Sequence, residues 1–210
     1  MIRIKYLLTI VFATLSISAF GQKINWGLKF GGGIANQSVK NNDIIATNST
    51  ITLNVGGFVN YNLPGQWALQ SGLGISNKGA EIVEDGITTT PKITYLDVPL
   101  NIAKKFNFPG LGMYYFGAGG YAARALSGKY KFETPNSVSS EKLEFGNGAD
   151  VKREDYGLNF TTGLELNNHL LFDIRYELGL NDISTQPQKD TGTSYIHNRL
   201  LTVSLGYIFK

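Results

Sequence analysis

The closing stretch of the chain, Leu201 to Lys210, constrains the fold more than any other segment. Leu201, Val203, Leu205, Tyr207 and Phe209 recur at every second position. Strand side chains alternate between two faces, so these apolar groups share one face. The same alternation recurs upstream. Ile24 to Ile34 places Ile24, Trp26, Leu28, Phe30 and Ile34 opposite Lys29 and a set of glycines. Ile51 to Leu63, Trp67 to Ser76, Ile93 to Lys104, Tyr156 to Leu166 and Leu170 to Leu180 repeat it. Met113 to Leu126 is apolar on both faces, and its parity is left open. With the closing segment, that makes eight candidate strands.

The connections decide the architecture. Pro64-Gly65-Gln66, Asn107 to Gly112 and Asn167-Asn168-His169 are short, and the gaps between them are long and polar. Short and long alternate without exception. That is the pattern of an all-β, eight-stranded antiparallel up-and-down barrel crossing the outer membrane, with short periplasmic turns and long extracellular loops. A terminal apolar strand closing on an aromatic is the usual ending of such barrels. Trp26, Tyr61, Trp67, Phe106, Tyr207 and Phe209 all fall near the short-turn end, as expected of an aromatic girdle at the headgroup layer.

Alternation alone does not say which face meets lipid. A soluble carrier of the lipocalin type is also an eight-stranded barrel, with its apolar face inward. Here the apolar faces carry almost no charge, while the opposite faces are mostly Gly, Asn, Thr and Ser. The few charges there, Lys29, Asp97, Glu165, Asp173, Arg175 and Glu177, come in both signs. Buried charges of opposite sign can pair, whereas unpaired ones are costly. Eight strands enclose only enough space for side chains. The expectation is therefore a lumen plugged by a structural polar network, with no wide pore. Pro99, which has no N–H to donate, predicts a bulge near Asp97 to Leu100.

Met1 to Gly21 has the form of a signal peptide: Arg3 and Lys5 precede the apolar run Tyr6 to Phe20, and Ala19-Phe20-Gly21 sets cleavage before Gln22. The barrel domain is then 22–210. Arg3 and Lys5 account for two of the 19 basic residues set against 16 acidic ones, so the mature chain is close to neutral. That gives no concentrated basic surface for nucleic acid. There is no Cys, hence no disulfide framework and no lipoprotein attachment.

Tyr95-Leu96-Asp97-Val98-Pro99-Leu100 resembles the Y-L-[DE]-[IV]-P-L signature of PorT-type outer-membrane β-barrel proteins. Asp155 to Leu158, Arg175 to Ile183 and Leu205 to Phe209 are similar to that family too. The resemblance implies a small Gram-negative outer-membrane barrel. One member of the family assists a system that exports proteins across the outer membrane. It implies no catalytic residues.

Little else carries chemistry. His169 lies in a short turn; His197 lies on the loop side near Asp182, Asp190 and Ser194, and no motif fixes their geometry. Gly31 to Gly33 and Gly117 to Gly120 precede no helix, so they are not phosphate loops. Asp150 to Asp155 lacks metal-ligand spacing. The expectation is a non-enzymatic protein with no cofactor or metal, and a monomer. Its partners are outer-membrane lipid, the barrel-assembly machinery during biogenesis, and a protein contacting the 127–154 loop. There Lys129 to Glu133 and Glu141 to Phe145 are each suited to a hairpin. Alternative roles are an accessory component of protein secretion, a narrow conduit or a small-ligand binder.

Overall fold

The structure is a computed structural model that describes residues 23–41, 47–84, 86–146, 148–190 and 192–209. The expected leader, Met1 to Gly21, lies outside them. In chain order the strands are β1 (Ile24–Asn41), β2 (Thr47–Asn48), β3 (Thr50–Leu63), β4 (Trp67–Gly79), β5 (Glu81–Glu84), β6 (Ile87–Phe108), β7 (Gly112–Thr134), β8 (Ser137–Lys142), β9 (Glu154–Leu166), β10 (Leu170–Gly179) and β11 (Thr193–Phe209). A single-turn helix, α1 (Gln186–Asp190), sits between the last two.

Eight strands form a closed antiparallel ring in the order β1, β3, β4, β6, β7, β9, β10, β11. Trp26 of β1 lies opposite both Val59 of β3 and Phe209 of β11, so no free edge is left in the wall. Closure is obligatory in hydrocarbon, where an unpaired backbone group has no water to bond. The described residues include no helix long and apolar enough to cross a membrane. The turns are tight: Pro64–Gln66, Pro109 to Leu111, and Asn167 to His169. Gly65 and Gly110 take positive φ there (70° and 79°), which a side chain would disfavour.

The alternation sorts as the residues require. Phe30 is 66 % exposed and Ile51 77 %, and Leu53, Leu73, Leu100 and Val203 continue an apolar outer belt. Soluble monomers rarely expose so continuous an apolar band to water. β7, apolar on both faces, turns Tyr115, Tyr121, Ala123 and Ala125 inward and Phe116 and Leu126 outward.

The expected bulge at Pro99 is absent. β4 and β6 keep one register from Trp67 opposite Lys104 to Gly79 opposite Lys92, while pairing lapses where Gly72 and Leu73 face Val98 and Pro99. The missing proline N–H is met by losing ladder bonds rather than by inserting a residue. The Ser71 hydroxyl donates to the Pro99 carbonyl at 2.8 Å. The register shift of this region lies on the other side of β6, between Thr94 and Tyr95, where Leu126 is left unpaired.

Several strands outrun the lipid belt. Above it, β2, β5, β6, β7 and β8 form one antiparallel sheet. The expected hairpin is present with a different second strand: Lys129–Thr134 pairs with Ser137–Lys142 around Pro135-Asn136. Leu143 and Phe145 instead turn inward, Glu144 stays exposed, and Phe145 bridges Val151.

Candidate functional site

The lumen holds most of the molecule's buried charge. Lys78, at the top of β4, reaches Asp97 on β6 at 3.1 Å, Asp155 on β9 at 3.0 Å and Glu177 on β10 at 2.8 Å. Its ammonium lies over the Tyr121 ring, 4.1 Å from the centroid. Tyr121 and Asn198 donate to Asp155 at 3.2 and 3.0 Å, and Ser76 donates to Asp97. Nearer the turns, Lys29 pairs with Asp173, which also accepts from Tyr115 (2.8 Å) and Thr161 (2.7 Å). Lys105 pairs with Glu165 at 2.7 Å, and Asn60 donates to the same carboxylate at 3.2 Å. Arg175 lies between these groups, 3.7 Å from Glu177.

Lys29, Asp97, Glu165, Asp173, Arg175 and Glu177 thus all lie in the lumen, joined in three cross-barrel ion-pair groups. The alternation did not flag Lys78, Lys105 or Asp155. Each continues the inward phase one to three residues beyond the last outward apolar position of its segment (Ile75, Ile102 and Tyr156), and that continuation was the available signal. Among the described residues, five lumen carboxylates face four cations.

Apolar groups seal both ends. Ile93, Tyr95, Tyr121, Ala123, Ala125, Leu143 and Val151 pack at the loop end. Ala103, Tyr115, Leu171 and Ile208, with Phe58 against them, pack nearer the turns. Between them the cavities measure about 30 and 20 Å³. Each has room for a water or two and nothing larger. The Lys78 ammonium occupies the centre that a bound cation would need. Among the described residues, no group of three His, Asp or Glu is placed to hold a metal.

The loop end is built on Asp182. Its Oδ1 accepts from the Ser184 amide (2.9 Å), the Ser184 hydroxyl (2.6 Å) and the Ile196 amide (3.0 Å), and Oδ2 meets Lys189 at 2.9 Å. Burial pushes its pKa up, but these hydrogen bonds outweigh it and hold the carboxyl well below the usual range. Asp182 is therefore committed to the loop and is not free to orient a histidine. His197 points outward and stacks on Tyr195, with ring centroids 4.7 Å apart; Asp190 accepts from Gln186 at 2.8 Å. The side chain of Ser194 lies outside those described. His169 contacts the Tyr207 hydroxyl at the opposite, turn end.

The six aromatics expected to form a girdle gather at the turn end, outside the wall. Trp26 packs on Phe209 (4.4 Å between centroids), Tyr207 on Phe209 (5.3 Å) and Phe106 on Phe116 (6.4 Å). Lys104 lies over Trp67. Tyr61 pairs across β1 and β4 with Ile24 and Leu69.

A family model for the outer membrane protein beta-barrel domain matches residues 20–185. The chain belongs to this family. Its place is therefore the outer membrane. The fold is similar to that of Ail, the attachment invasion locus protein of Yersinia pestis, at 18 % identity and TM-score 0.43, covering 89 % of this chain and 99 % of that one. Neisserial surface protein A gives 9 % identity and TM-score 0.47, over 88 % and 97 % of the two chains. OprG of Pseudomonas aeruginosa gives 15 % and 0.47, over 87 % and 95 %. None of the curated proteins matches the chain.

Proposed function

We propose that this outer-membrane barrel is a non-enzymatic interaction protein, exported behind the leader Met1 to Gly21, that offers its extracellular sheet to a protein partner. The observation that carries this is β8. Among the described residues it pairs with β7 alone, all six of its residues are exposed, and it forms one edge of a sheet standing on a sealed barrel. A free edge presents unpaired backbone groups that an extended segment can complete, with side chains supplying selectivity. The sealed lumen supports this reading over a conduit. The polar network serves stability, and the turn-end aromatics anchor the barrel at the headgroups.

A photo-crosslinking residue at Ser139 in intact cells tests it. Expected is a discrete protein adduct that is lost on deleting Ser137 to Lys142, while the barrel keeps its heat-modifiable mobility. No adduct, or single-channel current through the reconstituted protein, overturns it.

The PorT-like signature favours a second role, as an accessory of protein secretion. The motif also has a local meaning here. Tyr95 joins the apolar plug, Asp97 binds Lys78 and Pro99 interrupts the ladder, so its alternate residues build the lumen. A secretion defect on deletion, restored by the wild-type gene, separates this role from the first.

A further inference from the structure

Three lysines stand in one row across the extracellular sheet. Lys92 of β6 lies directly opposite Lys129 of β7, and Lys129 directly opposite Lys142 of β8. Opposed residues of antiparallel strands share a face, with Cβ atoms about 5 Å apart, and like charges so placed repel. Gly128, next in sequence, backs onto Leu143 and Phe145, and Tyr130 packs on the apolar plug. The lysines therefore face the other way, outward. Lys129 and Lys142 are exposed and Lys92 is half-buried. Among the described residues, no carboxylate lies within ion-pair distance of any of them, whereas Lys131 has Glu133 at 2.7 Å and Arg124 has Glu154 at 3.5 Å. On the fourth strand of the row the residue opposite Lys92 is Gly79, so no side chain intervenes there.

The row also has a defined height. Leu96 is the last outward apolar residue of β6, and Lys92 lies four positions above it. At a strand rise near 3.3 Å and a tilt near 40°, that is about 10 Å above the acyl boundary. This is the level of the lipid headgroups and the sugars immediately above them. Three unpaired cations with about 5 Å spacing suit a multivalent anion rather than bulk counterions.

We propose that Lys92, Lys129 and Lys142 form a binding site for the phosphoryl groups of an outer-leaflet lipid headgroup, tying the extracellular sheet to the membrane surface. The site uses outward side chains, Lys142 of β8 among them, rather than the unpaired backbone of the β8 edge, so Lys142→Gln leaves that edge in place.

The test titrates the protein in detergent micelles with bisphosphorylated lipid A, with the same lipid stripped of phosphate, and with inorganic phosphate. Expected is salt-sensitive binding of the phosphorylated lipid alone. Lys129→Gln weakens it about fivefold, and the triple replacement of Lys92, Lys129 and Lys142 by Gln about a hundredfold. Equal affinity for the stripped lipid, or unchanged binding by the triple variant, overturns the proposal. Displacement by millimolar inorganic phosphate makes the site one for free anions and overturns the lipid assignment. Lys129→Glu is the second variant. It pairs with both neighbours, so the barrel gains heat resistance in lipid-free micelles while lipid binding is lost; retained binding overturns the proposal.

Discussion

Replacing Lys78 by Met isolates what one buried cation does for three carboxylates. Met keeps much of the side-chain length and bulk, so the packing change is small. The three contacts lie between 2.8 and 3.1 Å. At an effective dielectric near 20, each is a gross attraction of about 5 kcal/mol, set against desolvation of every ion involved. Removing one partner of such a buried group costs about 3–5 kcal/mol, because the charges left behind stay out of water. That is about a fifth or more of the about 5–15 kcal/mol that holds a typical domain together. Asp97→Asn should cost far less, about 1 kcal/mol, since Lys78 keeps two carboxylates and the amide oxygen put in place of the carboxylate still accepts from Ser76. The assay is the urea midpoint in lipid vesicles, followed by heat-modifiable mobility. The reasoning fails if Lys78→Met stays within about 1 kcal/mol of wild type, or if Asp97→Asn proves the more damaging of the two.

Asp182 sets a pH dependence at the loop end. Its folded pKa is depressed, so its contribution is complete above the unfolded value near 3.9 and is lost as pH falls through the folded one. Amide-exchange protection at Ser184 and Ile196 should drop only in strong acid, and Asp182→Ala should reproduce that drop at neutral pH. Gly163 stands beneath the Tyr115 hydroxyl, and an added Cβ would lie 2.2 Å from the Phe172 carbonyl oxygen and 2.6 Å from that hydroxyl. Gly163→Ala should therefore lose about 1–3 kcal/mol in the same urea assay and move the Tyr115 ring resonances.

The wall was legible because lipid is an undiscriminating solvent: any apolar side chain serves outward, so a simple two-residue period survives in the sequence. Strand length was not legible for the same reason. The outward pattern stops at the membrane boundary, while the hydrogen-bonded strand goes on. Lys78, Lys105 and Asp155 each lie beyond the boundary drawn from outward residues, and so the hub of the lumen was missed while its spokes Asp97 and Glu177 were found. Pro99 misled in the opposite sense. A proline inside a strand signals an irregularity, but only the neighbouring strand decides between an inserted residue and skipped bonds; here Gly72 and Leu73 skip the bonds. In the long loop, the alternation of Glu141 to Phe145 matched a strand, yet Leu143 and Phe145 are drawn under the sheet by the apolar plug.

The apolar belt does not choose the register of the barrel. Slipping one strand by a single residue would turn its faces inside out, which the lipid forbids. Slipping by two residues keeps every apolar group outward and shifts the strand by about 7 Å. The belt is indifferent to that error; the lumen is not. A two-residue slip of β4 that moves Lys78 from opposite Ile93 to opposite Pro91 would carry it beyond reach of Asp97. Mixed-sign charges make the native stagger the pairing that satisfies them, at some cost in stability. The variant Lys78→Met, Asp97→Asn, Asp155→Asn, Glu177→Gln separates the two effects. With Lys78 and its three carboxylates all neutral, it should recover much of the urea resistance lost by Lys78→Met alone, Arg175 being the one cation that loses its partner, Glu177. It should also show more than one set of backbone amide resonances along β4 and β6. A single native-like set would show that side-chain packing and turn geometry already choose the register, and that the ions do not.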